Sequence, residues 1–207
     1  MRIITVSREF GSGGRELGKR LADHLGYHYF DREIVTAIAQ KTALDETYVE
    51  TVLEKGLFKT MPITFGHTFS YLPSIPYDGS NLFTEQQKVI RELAAHGDCV
   101  MLGRNADMIL ENEHPFKLFI YADMDAKIRR CRQRAPDGEH LTEREMEKQI
   151  RRIDKARANY HDLLADTAWG DKSSYHLCVN TTGVPLETLV PAIANYAKAW
   201  FEAFPSK

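Results

Sequence analysis

Residues 2–25, RIITVSREFGSGGRELGKRLADHL, constrain this chain more than any other stretch. A short β-branched run, Arg2–Val6, reads as a buried strand. A glycine-rich turn follows it. Beyond the turn, Leu17, Leu21 and Leu25 recur at i, i+4 and i+8, the period of one helix face. A strand that enters a helix through Gly11, Gly13 and Gly14 aims unpaired backbone N–H groups at whatever lies in front of the helix. The plainer alternative is a tight turn that holds nothing. Glycines clustered between a first strand and a first helix favour phosphate over that alternative.

The rest of the chain repeats the strand–helix rhythm. Strands are expected at 27–30, 99–102, 117–121 and 175–179. Helices are expected at 13–25, 32–40, 45–56, 82–96, 125–134, 141–164 and 186–201. Gly26 is a stop for the first helix, Asp45 an N-cap, and Thr142–Glu145 a capping box. Short apolar strands without alternation are buried on both faces, which predicts one α/β domain around a five-stranded parallel sheet. Ligands of such sheets lie beyond the carboxyl ends of the strands. Ser7–Gly14, Asp31–Arg32 and Gly103–Arg104 all fall there, so one shared site is expected. Residues 57–80, with three prolines, two glycines and five aromatic rings, follow no period and read as a lid or binding loop.

Charge and cysteine usage exclude several functions. A formal net charge of −2 argues against nucleic-acid binding. Basic residues do concentrate in 127–157, leaving room for a local anion site; Lys127, Arg130 and Arg134 there read as a solvated helix face. Cys99, Cys131 and Cys178 are far apart and without metal spacing, as expected of reduced thiols in the cytoplasm. The first apolar run breaks at Ser7–Glu9, too early for a signal peptide, and no run reaches membrane-spanning length. No role is assigned to the histidines. Trp169–Asp171 reads as a turn, and Leu189, Ile193, Tyr196 and Trp200 as the core face of the closing helix.

Which phosphate compound the loop holds is less direct. The dinucleotide fingerprint GxGxxG fails because Glu16 stands at the third glycine, although Asp31 sits where a ribose-binding acid belongs. The GxxxxGK[ST] pattern also fails: aligned on the GSG core, Arg8 takes the first glycine and Gly14 the lysine.

Four segments in order, SREFGSGGREL, YFDRE, CVMLGRNAD and DKARANY…WGD…YHLCVNT, resemble the cytidylate kinase-like family, within the P-loop nucleoside monophosphate kinases. The resemblance spans most of residues 2–182. It implies a P-loop core, an insertion at 45–96 for the nucleoside monophosphate, a lid at 135–160, and phosphoryl transfer from Mg-ATP to a nucleotide such as CMP or dCMP. It carries Gly11, Ser12, Gly13, Gly14, Arg15 and Glu16 over as the ATP phosphate cradle. Asp31, Arg32, Arg104 and Asn105 become acceptor-binding residues, and Arg15, Arg152 and Arg157 catalytic ones, with Asp154 orienting the lid arginines. This chain departs from the family pattern at the lysine and hydroxyl, so Arg15 or Lys19 is the candidate replacement cation and Glu16 the candidate Mg²⁺ ligand. Plainer roles stand beside these: first-turn helix residues for Arg15 and Glu16, an N-cap for Asp31, a salt bridge for Arg104, a solvated face for 151–157. Rival functions are a non-catalytic nucleotide-binding module, a kinase of another small molecule and, last, a dinucleotide oxidoreductase.

Overall fold

The computed structural model describes residues 1–55, 79–135, 141–162 and 164–204. Most of the irregular 57–80 segment and residues 136–140 of the expected lid lie outside them. Five strands form one parallel sheet: β1 (Ile3–Arg8), β2 (His28–Phe30), β3 (Cys99–Leu102), β4 (Phe116–Tyr121) and β5 (Leu177–Asn180), in the order β2-β3-β1-β4-β5. β1 is central, with Ile4 paired to Val100 on one side and Phe116 on the other. The helices are α1 (Gly14–Leu25), α2 (Arg32–Thr42), α3 (Glu46–Lys55), α4 (Gly79–Ala94), α5 (Ala106–Ile109), α6 (Met124–Arg134), α7 (Glu143–His161) and α8 (Leu186–Ala203).

The apolar run of β1 lacks alternation because both its faces are covered. Ile3 joins Met101, Ile34, Ile38 and Ile90 beneath α2 and α4. Ile4 and Val6 turn the other way, onto Leu17 and Leu21 of α1 and Ile193 and Ala197 of α8. Each such side chain, fully withdrawn from water, contributes about 1.5–3 kcal/mol. A smaller cluster of Ile128, Met146 and Ile150 joins α6 to α7.

The local signals act as their chemistry dictates. Gly26 ends α1 at φ 71°. The Asp45 carboxylate accepts from the Thr47 and Tyr48 amides at 2.9 and 3.2 Å. Thr142 and Glu145 close the capping box of α7 from both sides. Three readings change. β5 starts at Leu177, because Tyr175 and His176 follow a 3₁₀ turn, Lys172–Ser174, capped by Asp171. In α8 the buried face is Leu186, Val190, Ile193, Ala194, Ala197 and Phe201, whereas Tyr196 is 48% exposed and meets Phe116 from the rim. Asp31 does not cap α2; its carboxylate pairs with Arg15 and Glu33 takes the Asp31 amide. No described helix is long and apolar enough to cross a membrane.

Candidate active site

At the carboxyl end of β1 a cavity of about 450 Å³ opens between the glycine loop, α6 and α7. Gly11, Gly13 and Gly14 form its floor, and its wall carries six arginines: Arg8, Arg15, Arg130, Arg134, Arg152 and Arg157. Gly13 closes the loop at φ 85°, in the left-handed region that an L side chain resists, and α1 begins at the next residue. The N-terminus of a twelve-residue helix thus faces a cavity walled by guanidinium groups, an arrangement suited to an anion with several oxygens. Ser12 is fully buried; its hydroxyl donates to the Glu9 carbonyl at 2.8 Å.

Most of these cations are held by protein groups. Arg15 Nε lies 2.7 Å from Asp31 Oδ2, so the loop and the end of β2 are tied to each other. Lys19 pairs with Asp23 along α1. Glu16 pairs with Arg20 at 2.9 Å and with Arg134. Arg130 donates to the Ser12 carbonyl at 3.3 Å and to the Thr181 carbonyl at 2.6 Å, fixing the loop to the turn after β5. Arg152 is exposed at the rim. Arg157 donates to the Arg8 carbonyl at 3.0 Å and lies over the Phe10 ring.

The α6 face is solvated at Arg134 but not at Lys127, and Arg130 is half-buried. Lys127 is 5% exposed, and its ammonium bridges Glu9 at 3.0 Å and Asp154 at 3.1 Å. Asp154 also accepts from the Phe10 amide at 2.6 Å and lies 3.9 Å from Arg157. Burial raises the Asp154 carboxyl above its ordinary range, against the opposing pull of the Phe10 amide and Lys127. Helices α6 and α7 are thereby pinned to residues 9 and 10, the first part of the loop.

The expected acceptor residues gather beyond the cavity, at the ends of β2 and β3. Gly103, Arg104 and Asn105 have φ of 66°, 60° and 53°, a left-handed turn in which two residues carry side chains. Such strain persists only where surroundings enforce it. Gln86, fully buried on α4, donates to the Arg104 carbonyl at 3.1 Å and to the Tyr160 hydroxyl at 2.6 Å. The Asn105 amide donates to the Tyr160 carbonyl at 2.9 Å. Arg104 lies 3.9 Å from Glu50 of α3. Arg32 is exposed on α2. Among the described residues no group of three or more His, Cys, Asp or Glu gathers as a metal site.

The sequence profile of the cytidylate kinase-like family matches residues 3–183. The chain belongs to that family. A cytidylate kinase of Streptococcus thermophilus is 23% identical over 226 aligned positions, covering 94% of this chain and 95% of that protein. The solved structure of an uncharacterized protein from Eubacterium ventriosum superposes with a TM-score of 0.69 at 24% identity, covering 96% of this chain and 99% of that one. Shikimate kinase from Bacteroides thetaiotaomicron superposes with a TM-score of 0.56 at 16% identity, over 95% and 98% of the two chains. The fold is of the P-loop NTPase type found in such kinases.

Against the family pattern, three parts of the site escaped sequence reasoning. The Glu9–Lys127–Asp154 bridge joins Glu9 to residues more than a hundred positions away, and no local signal announces it. The Arg130–Thr181 contact is likewise long-range. Arg8 did leave a signal: the paired exchange of a glycine for Arg8 and a lysine for Gly14 was visible in SREFGSGG.

Proposed function

We propose that this family member is a nucleotide kinase that transfers the γ-phosphoryl group of ATP to a nucleoside monophosphate, CMP or dCMP first. The observation that carries the reading is the arginine-walled cavity over the glycine loop at the end of the central strand. An oxygen of the acceptor phosphate attacks the γ-phosphorus. The bond from that phosphorus to the bridging oxygen breaks, ADP leaves with its electron pair, and a nucleoside diphosphate forms. Gly11–Glu16 cradle the donor phosphates. Arg15, Arg152 and Arg157 stabilise charge on the group in flight, as fixed cations do in a site with little water. Asp31, Arg32, Arg104 and Asn105 hold the acceptor, with residues 45–96 as its binding segment and 135–160 as the lid that excludes water. Mg²⁺, when bound, neutralises phosphate oxygens and keeps several waters of its own. Glu16 is the loop carboxylate that would hold it, in competition with the Arg20 and Arg134 pairs it makes in this structure. The free cysteines support a reducing, cytoplasmic setting.

A second reading, a kinase of another small molecule, has one specific observation in its favour. The Asn105 amide is engaged by the Tyr160 carbonyl, which leaves it poorly placed to read a pyrimidine. Purified protein incubated with Mg-ATP and a panel of nucleoside monophosphates, sugar acids and hydroxy acids separates the readings. CMP-dependent ADP formation supports the first, and turnover with a non-nucleotide acceptor alone supports the second. Nucleotide binding without turnover on any acceptor refutes both and leaves a binding module.

A further inference from the structure

The lysine position of the loop is glycine for a steric reason. A Cβ built on Gly14 would stand 2.6 Å from Arg8 Cβ and 2.9 Å from Arg8 Cγ, closer than real side chains approach. The Arg8 side chain crosses directly over Gly14. It continues to the end of β3, where a Cβ on Gly103 would stand 1.9 Å from Arg8 Nη1. Two glycines therefore clear the path of one arginine, the first in the donor loop and the second beside Arg104. The guanidinium lies between the two halves of the site.

Arg8 also differs from Arg15, Arg130, Arg134 and Arg157, the cations of the wall that protein groups hold. It is partly buried and lines the cavity. Among the described residues its guanidinium takes no hydrogen bond and no ion pair, while its neighbours Arg15 and Arg157 are held by Asp31 and by the Arg8 carbonyl. Burial first, and then Arg157, bring its pKa down to about 9, so it remains charged at neutral pH in surroundings that penalise the charge. A cation kept in such a place, with Asp31 acting only at a distance and no hydrogen bond or ion pair to its guanidinium among the described residues, is suited to an anion from outside.

We infer that Arg8, rather than Arg15 or Lys19, is the relocated loop cation that takes the place of the missing lysine: its guanidinium contacts the phosphate oxygens at the junction of donor loop and acceptor end. Arg8 and Gly14 exchange the roles of the usual first glycine and lysine, and the charge enters from the strand side of the loop instead of the helix side. Its role in turnover rests on the kinase reading, where it donates N–H groups to the phosphoryl oxygens while the bond to ADP breaks; its role in holding polyphosphate does not.

The test uses tripolyphosphate and a non-hydrolysable ATP analogue as titrants in calorimetry, so no acceptor is needed. Arg8→Gln keeps the three-carbon stem and a polar tip and removes the charge. It is expected to weaken both titrants at least about tenfold, while the thermal midpoint of the free protein stays level or rises, because an unpartnered charge has gone. The exchange R8G/G14K, which restores the usual arrangement, is expected to recover most of that affinity, and Gly14→Lys alone to lose it. Unchanged affinity in Arg8→Gln overturns the inference. So does a fall in affinity that merely follows a fall in thermal midpoint, the mark of a structural residue. Wild-type protein that binds tripolyphosphate through Arg8 but turns over no acceptor refutes the kinase reading and leaves the assignment of Arg8 standing.

Discussion

The Lys127 bridge allows a quantitative trial of how firmly α7 is fastened to the loop. In Lys127→Met the hydrocarbon stem is kept and the ammonium is lost. Its side chain is 6% exposed, and the partners it leaves behind, Glu9 and Asp154, are 26% and 15% exposed. Breaking a buried ion pair by removing one member costs about 3–5 kcal/mol. Glu9 can turn toward water and Asp154 keeps the Phe10 amide, so the low end, about 3 kcal/mol, applies. A domain of this length has an unfolding entropy of about 0.4 kcal/mol per kelvin near its midpoint, so the loss lowers the thermal midpoint by about 7 °C. Scanning calorimetry and urea titration at pH 7 measure it. Arg151→Ala, which breaks an exposed pair with Glu147, serves as control and is expected to change stability by less than about 0.5 kcal/mol. The penalty at Lys127 includes an ionised Asp154 carboxylate, whose pKa burial raises, so the difference from wild type is full at neutral pH and shrinks as acid protonates that carboxylate. A cost under about 1 kcal/mol, or one that persists unchanged at pH 4, would refute the picture of a sealed bridge.

Two further outcomes follow from groups whose titration the fold has moved. Cys131 lines the cavity and burial raises its thiol, so alkylation in the native state is slower than in the unfolded chain, quickens as pH rises, and is suppressed by ATP; mass spectrometry of the labelled peptide reads all three. Burial pushes the Cys99 thiol up to about 12, and it stays unlabelled until the protein unfolds. Burial first, and then Lys117, lower the pKa of His176, whose ring accepts the Lys117 amide at 2.9 Å. Its contribution is therefore present above about pH 6.5 and lost as pH falls through the folded pKa, and a His176→Gln variant is expected to show a flatter stability profile between about pH 7 and 5.

Much of the fold was legible because its determinants are local. Cys99–Leu102 is apolar at every position, and a strand covered on both faces asks for that. The Thr142–Glu145 box starts α7 with chemistry contained in four residues. Tyr196 was misassigned because a half-apolar ring at helical spacing looks the same whether it enters the core or rests on its edge. The site was legible in outline through its glycines and strand ends. Its wiring was not, because the partner of Arg15 is Asp31, that of Lys127 is Asp154, and that of Asn105 is the backbone of Tyr160. Each of those pairs is selected by tertiary approach and leaves no spacing to read.

The C-terminal half of helix α7 is fastened to both parts of the site, to Phe10 and Arg8 through Asp154 and Arg157, and to the Gly103–Asn105 turn through Tyr160. The two contacts therefore share one mechanical element. A rigid body gripped at two points cannot shift at one without working on the other. Free-energy coupling between two ligands is reciprocal. On the proposed kinase reading, whatever tightening polyphosphate imparts to the acceptor end, an acceptor returns to the loop in equal measure.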